Sequence, residues 1–409
     1  MEGCLSDSPF KYDVVIVRFS GEVGVKSPYV RAMYERAVQG HVEKALTYYQ
    51  IPYDRVIHSA GRTYVLTVST DEAITKLAKV FGVSSMSPAV KTTSKLEDIL
   101  DVCVKTAASA FKKESSFAVK CRRVGRHPYG SMEVCDKVGE AVLRTLSRRR
   151  LSVNLSKPDN VLSVEVRDKD AYVFPRTYKG AGGYPVGSQG KMVCLIHPDI
   201  GSPVASWLTM KRGCPIVPLY LDDAPYGDTG KRESVYNLVK ILLDWAIGYN
   251  HTRIYVVPHG ENIKKIVGEA PENLVRVICK RVMYRVAEMI ADRERADGIV
   301  TGEVVDEKGG QTLRALHAAN TVLTGYPVHR PLIGFTENEV EGLARRIGTY
   351  EATRVGRGCI VGHRTPPTVF NLQEILEVEK KLDVVEMVRT SVCQLKVHDI
   401  RMGGNIENP

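Results

Sequence analysis

The chain has no apolar run approaching the ~18 residues that a membrane-crossing helix needs, which argues against a helical span. Its opening residues, MEGCLSDSPFKYD, lack a basic segment followed by an apolar one, which argues against a secretory leader. Cysteine is present but unorganised: nine thiols lie scattered through 409 residues with no small-domain spacing. An odd, dispersed set fits reduced thiols in a cytoplasm better than a disulfide framework. There is no internal repeat and no low-complexity tract. Aromatics make up only 7% of the residues, and no aromatic pair of the kind that stacks single-stranded bases stands out.

What is present describes an ordinary globular protein, 44% hydrophobic and 25% charged. It is long enough for two or three domains with cores of their own. The net charge of +10 favours an acidic partner, nucleic acid first. A basic enzyme with no polyanion partner is the other reading of charge alone, so the position of the charge matters.

Residues 11–70 predict a small α/β unit: strand 12–19, a turn at SGEVGVKSP, a helix over 29–49 and a second strand at 65–68. Residues 71–175 predict helix 71–81, strand 86–91, helix 96–113, strand 117–122, helix 132–149 and strand 161–166. Cations gather here. Arg122, Arg123, Arg126 and His127 follow a strand, Arg148, Arg149 and Arg150 end a helix, and Lys112, Lys113 and Lys120 crowd the same unit. A solvated basic loop is one reading. The other is a surface that releases counterions from a phosphate backbone and recognises folded RNA by shape, with salt-sensitive affinity.

From Gly187 onward short apolar strands (192–196, 216–221, 253–257, 298–301) alternate with amphipathic helices (203–211, 232–247, 271–291, 337–347). That pattern is a parallel sheet covered on both faces, a doubly wound α/β fold. Ligands in such sheets sit beyond the carboxyl ends of the strands. The turn at 197–202, the strand end at Tyr220-Leu221 and the turn Thr301-Gly302-Glu303 are therefore expected to share one crevice. Ser202 suits an N-cap and Pro203 the first helical position, so backbone N–H groups would face that crevice at a helix N-terminus, where phosphate binds well.

The stretch 180–214 resembles the tRNA 4-thiouridine synthases, a family of tRNA sulfurtransferases. Their pyrophosphate loop reads approximately SGGxDSPVA before a helix ending in RGC. Here the frame holds His197-Pro198-Asp199-Ile200-Gly201-Ser202-Pro203-Val204-Ala205, with Arg212-Gly213-Cys214 at the helix end and PVGSQGK ahead of the strand. Pro198 and Asp199 replace two glycines, and Gly201 stands at the family's aspartate. Proline removes an N–H donor, and aspartate brings a charge of the ligand's own sign. TGEVVDEKGGQTLRAL resembles the family's TGE-x-x-GQ segment, keeping Thr301, Gly302, Glu303, Gln311 and Thr312 while Asp306, Glu307 and Gly310 depart from it. Gly21, Glu22 and Lys26 fit its opening motif. Arg122-Arg123, Arg126-His127-Pro128 and Ser131 fit the R-R-x-G-x-H-P-x-x-S of the THUMP domain, an RNA-binding module.

The resemblance implies an N-terminal ferredoxin-like unit over 1–70, a THUMP domain over 71–175 and a pyrophosphate-loop (PP-loop) domain over 186–409. It implies ATP with Mg2+ as co-substrate, held by Leu195, Ile196, Gly201, Ser202, Tyr220 and Leu221, with Lys280, Arg281, Gly302 and Gln311 also facing the nucleotide. Arg122, Arg123, Arg126, His127, Arg148, Arg149 and Arg150 would meet tRNA. Cys359, in the glycine-rich GRGCIVGHRTPPTVF with Arg354, Arg357 and His363 nearby, is the expected sulfur carrier, since cationic surroundings lower a thiol's pKa. Cys279 is a second candidate. Cys214 fits a packed position better. An iron–sulfur cluster built from Cys214, Cys279 and Cys359 is conceivable, but their spacing is no metal motif, and no metal ligand is assigned.

The implied activity is ATP-dependent thiolation of uridine at position 8 of tRNA, in the cytoplasm. The sulfur donor would be a separate cysteine desulfurase, sulfide or carrier, and a homodimer is compatible with it. Two other readings stay open: a family member that binds tRNA without adenylating it, and a sulfurtransferase serving thiamine thiazole synthesis.

Overall fold

The structure is a computed structural model that describes residues 10–59, 61–227, 230–249, 251–305, 312–353, 371–402 and 406–407. The chain divides into two compact units, residues 1–183 and 184–409. Among the described residues no helix is long and apolar enough to cross a membrane.

The first unit holds β1 (Val14–Phe19), β2 (Arg55–Ser59), β3 (Arg62–Leu66), β4 (Val83–Thr93), β5 (Ser116–Val124), β6 (Ser152–Val153), β7 (Asn160–Arg167), β8 (Asp170–Phe174) and β9 (Tyr178–Lys179). Their order is β2-β3-β1-β4-β8-β7-β5-β6, with β9 on β4. β4 is the shared strand. Its first half pairs with β1 (Val14 opposite Ala89) and its last residues pair with β8 (Val90 opposite Val173). The ferredoxin-like half and the THUMP-like half are therefore parts of one sheet. β1 reads VVIVRF, a run apolar enough to be buried at its first four positions. Helix Pro28–Tyr48 starts on a proline, whose missing N–H has no partner to lose at a helix start. Val134, Val138 and Val142 of helix Ser131–Thr145 recur at spacing four, and their face packs on β5 and β7 residues such as Phe117 and Leu162.

The second unit holds β10 (Met192–Leu195), β11 (Ile216–Asp222), β12 (His251–Pro258), β13 (Gly298–Val300), β14 (Val328–His329), β15 (Lys396–Arg401) and β16 (Ile406–Glu407), in the order β14-β13-β10-β11-β12-β15-β16. The five strands from β14 to β12 are parallel, and β15 and β16 add an antiparallel edge. Helices Gly260–Glu269, Val275–Glu294, Leu372–Leu382 and Val384–Cys393 share a core with Leu195, Leu219 and Val257. Helices Gly201–Lys211, Lys231–Leu243 and Glu337–Ile347 form a second packed set. Trp207 and the nearby Trp245 meet edge to face there, their rings 5.3 Å apart. The doubly wound expectation holds for the parallel core, and the antiparallel edge is an addition to it.

Candidate active site and candidate nucleic-acid interface

β10 ends at Leu195, Ile196 is buried, and the chain turns through 197–200 into helix Gly201–Lys211. The helix begins two residues earlier than the sequence suggests. Ser202 lies in its first turn, and Pro203 takes the third helical position, where its missing N–H is again one of the orphans. The cap comes from Asp199, whose Oδ1 accepts the Ser202 N–H at 2.7 Å. Ser202 instead locks the turn from within: its hydroxyl donates to the His197 carbonyl at 2.9 Å and accepts the His197 N–H at 3.0 Å. The departure from the family's loop is thus compensated locally. A carboxylate sits where backbone donors would otherwise await an anion.

The glycines of the two turns touch. A Cβ on Gly201 would stand 2.5 Å from the Gly302 carbonyl oxygen, and one on Gly302 would stand 2.3 Å from the Ser202 nitrogen. The turn after β13 and the start of the helix after β10 are therefore in backbone contact, as their shared crevice requires.

The end of β11 forms the third wall. Tyr220 and Leu221 are buried, with the Tyr220 ring 6.5 Å from that of His197. Asp222 and Asp223 follow, each with its own base. Buried Lys231 donates to Asp223 at 2.6 Å, and Arg232 grips Asp222. Burial lowers the His197 pKa, Asp199 at 3.8 Å opposes that shift, and Lys231 reinforces it.

Glu303 is a further buried charge of the crevice. Its carboxylate accepts from Tyr284 at 3.0 and 3.1 Å, from Thr301 at 2.9 Å, from Lys280 at 2.5 Å and from Arg330 at 2.5 Å. Burial alone would raise the Glu303 pKa, but Lys280 and Arg330 hold it below the usual carboxylate range. Lys280 thus reaches the turn after β13. Arg281, expected on the nucleotide, points elsewhere: it is 1% exposed and holds Glu379 through Nε and Nη2, both at 2.9 Å. The Ala318 carbonyl accepts a further Arg281 donor at 2.7 Å.

Cys279 is buried. Cys214 is half-buried, its pKa raised by burial and then by Asp297. Cys359, Gln311, Arg354, Arg357 and His363 lie outside the described residues, as do Asp306, Glu307 and Gly310. Among the described residues no group of three or more His, Cys, Asp or Glu is placed to hold a metal ion.

In the first unit β5 carries Arg122 outward, and the loop after it is braced from behind. His127 Nε2 donates to the Asp168 carbonyl at 2.7 Å, which leaves Nδ1 to accept from Arg123 at 3.4 Å. Arg123 also reaches the Gly125 carbonyl at 3.1 Å. Gly125 needs its positive φ of 101°, and a Cβ there would meet Asp168 Oδ1 at 2.7 Å. Arg122, Arg126 and Arg148 stay exposed. Arg149 is tied to the Phe111 carbonyl at 2.7 Å, and Arg150 makes an exposed pair with Glu114.

Sequence reasoning missed one cluster. Arg18 of β1 donates to Glu165 of β7 at 3.0 and 3.2 Å, Arg62 of β3 comes within 3.5 Å of the same carboxylate, and so does Arg167. The available signal was a charge inside apolar strands, Arg18 in VVIVRF and Glu165 in NVLSVEVR. Their pairing spans 147 positions and could not be read locally.

A parallel sheet with a strand–turn–helix at its carboxyl edge, in one chain with a shared ferredoxin-like and THUMP sheet, defines the class: a THUMP-bearing protein with a PP-loop domain. The comparisons give the family. The profile of the thiamine biosynthesis protein (ThiI) matches residues 187–384, that of the THUMP domain residues 93–175, and that of the ThiI ferredoxin-like domain residues 14–87. The chain is 36% identical to the probable tRNA sulfurtransferase of Methanosarcina mazei over 97% of its own length and 99% of that protein's. It is 32% identical to the probable tRNA sulfurtransferase of Sulfurisphaera tokodaii over 91% and 96% of the two chains. A crystal structure of a 4-thiouridine synthetase in complex with RNA and ATP superposes with a TM-score of 0.83 at 27% identity, covering 96% of this chain and 100% of that one. The chain belongs to the tRNA sulfurtransferase (ThiI) family.

Proposed function

We propose that the protein thiolates tRNA, converting uridine at position 8 to 4-thiouridine with ATP as co-substrate. The observation that carries this reading is the kinship along nearly the whole chain, 36% identity over 97% of its length. The RNA-binding arginines are Arg122 and Arg126, exposed at the end of β5 and on the braced loop after it, and Arg148, exposed beyond the far end of helix Ser131–Thr145. ATP supplies the adenylyl group that makes the uridine O4 a leaving group, with Mg2+ as the charge partner of its phosphates. Leu195, Ile196, Tyr220 and Leu221 offer the apolar floor of the crevice. Gly201 and Gly302 let the two turns that line the crevice pack backbone against backbone. In the sulfur step, sulfane sulfur passes from the persulfide of a cysteine desulfurase to Cys359, the terminal sulfur of the Cys359 persulfide attacks C4 and AMP departs; a second thiol then attacks the Cys359 sulfur, releasing thiouridine and leaving a disulfide that an external thiol reduces.

Purified protein supplied with unmodified tRNA, ATP, a cysteine desulfurase with cysteine, and a thiol reductant tests the reading by its yield of 4-thiouridine. A second reading, tRNA binding without adenylation, is favoured by one observation. Asp199 already bonds the Ser202 N–H that a phosphate oxygen would take. Tight tRNA binding with no nucleotide binding and no thiouridine would select it.

A further inference from the structure

The joint between β1, β3 and β7 holds more positive charge than its partners balance. Three guanidiniums, of Arg18, Arg62 and Arg167, face the single carboxylate of Glu165, with side-chain exposures of 13%, 14%, 12% and 7%. Arg18 is well matched, donating to Glu165 and, at 2.9 Å, to the Ser87 hydroxyl. The other two are not. Arg62 bonds the Gly61 carbonyl at 3.0 Å, but its buried Nε makes no hydrogen bond and meets Glu165 Oε2 only at 3.5 Å, and the buried Nε of Arg167 makes no hydrogen bond either. Arg167 lies 3.5 Å from Glu165 Oε2, and that oxygen also lacks a hydrogen-bond partner. Buried cations without matched anions are unfavourable, and buried donors normally find partners. Here two guanidiniums are left underused.

The joint also opens onto the surface named from the sequence. Arg122 on β5 stands opposite Glu165 in the strand register, and Val124 stands opposite Arg167. Arg122 is exposed and close enough to bear electrostatically on Arg62. The Tyr64 and Tyr172 rings stack at 4.4 Å beside the joint, and the Phe174 ring, 4.8 Å from the Arg18 guanidinium, backs that arginine. Planar guanidiniums held this way suit tetrahedral oxyanions, which they bind through paired N–H donors.

We propose that Arg62 and Arg167, with Arg122 at the rim, form a phosphate-binding site at this joint, and that Glu165 and Arg18 are its base. The ligand is a phosphate group, borne by the RNA backbone or by a small phosphorylated molecule. The RNA source rests on the tRNA-binding reading above, whereas the site itself does not.

The test uses the full chain and two probes, inorganic phosphate and tRNA, with Arg167→Gln as the variant. Arg167→Gln removes a cation whose contact with Glu165 is a long one, 3.5 Å, and leaves the Arg18–Glu165 pair in place. Phosphate binding measured by calorimetry should be present in the unaltered chain and lost in the variant. If the phosphate belongs to RNA, tRNA affinity should fall about tenfold, the slope of log affinity against log salt should fall by about one, and phosphate should compete with tRNA. If phosphate binds without competing, the small-molecule source is selected. Arg167→Lys should restore part of either signal, which a packing role would not. The proposal is overturned if phosphate does not bind the unaltered chain and the tRNA salt slope is the same in both proteins. Failure of the unaltered chain to bind tRNA while it binds phosphate would refute the tRNA-binding reading and leave the site standing.

Discussion

Replacing Glu303 with glutamine removes the one negative charge that Lys280 and Arg330 share in the crevice. Both cations bond the carboxylate at 2.5 Å, and Tyr284 and Thr301 add three further contacts at 2.9 to 3.1 Å. Glutamine keeps one acceptor oxygen but turns an NH2 group toward donors and leaves two cations without a counter-charge. Breaking a buried pair from one side costs about 3–5 kcal/mol. The Lys280 side chain is 26% exposed and can turn to water, whereas that of Arg330 is 9% exposed and cannot. The lower end of that range, about 3 kcal/mol, is therefore expected near neutral pH.

The pH dependence has a definite sign. The Glu303 pKa is depressed in the folded chain, so its stabilisation is present above the unfolded carboxylate value of about 4.3 and is lost as pH falls through the folded value. The gap between the two proteins should narrow in acid. Urea unfolding followed by tryptophan fluorescence reads this directly, because both tryptophans, Trp207 and Trp245, lie in the second unit. A loss below about 1 kcal/mol at neutral pH, or a gap that does not close in acid, would refute the reasoning.

Gly302→Ala should displace the helix start, since its Cβ would lie 2.3 Å from the Ser202 nitrogen, and calorimetry should show loss of ATP binding. Asp199→Gly should tighten ATP binding about tenfold, because it frees the Ser202 N–H and removes a like charge. Unchanged affinity would show that the carboxylate does not obstruct the phosphates. Arg122→Ala with Arg126→Ala should weaken tRNA binding and lower the salt slope by about two in filter-binding titrations, with an unaltered slope counting against their contact with phosphate.

The fold was legible where local signals agree with tertiary packing. Helix Glu337–Ile347 lies within its predicted bounds because Thr336 and Glu339 form a capping box and Gly348 ends it at φ 94°. The edge strand β2 was missed because RVIHS is half polar and mostly exposed, and β15, one strand in from the sheet end, because KVHDIR is mostly polar. Helix 271–291 was started too early at Pro271: a turn comes first, closed by the Leu274 N–H on the Pro271 carbonyl, and the helix begins at Val275. Ser202 looked like a cap on residue type alone, but Asp199, three positions earlier, took that bond and freed Ser202 to pin His197. Arg281 was indistinguishable from Lys280 in sequence, and only the fold shows one reaching Glu303 and its neighbour turned to Glu379. The arginine joint depends on strands far apart in the chain, which no local pattern records.

The most direct measurement is 4-thiouridine formation on unmodified tRNA by the purified chain, with ATP, a cysteine desulfurase with cysteine, and a thiol reductant supplied, compared with Cys359→Ser under the same conditions. The unaltered protein should form ATP-dependent 4-thiouridine at position 8 and Cys359→Ser none, with equal tRNA affinity for both. No thiouridine from the unaltered protein while it binds tRNA, or full activity in Cys359→Ser, would contradict the thiolation reading.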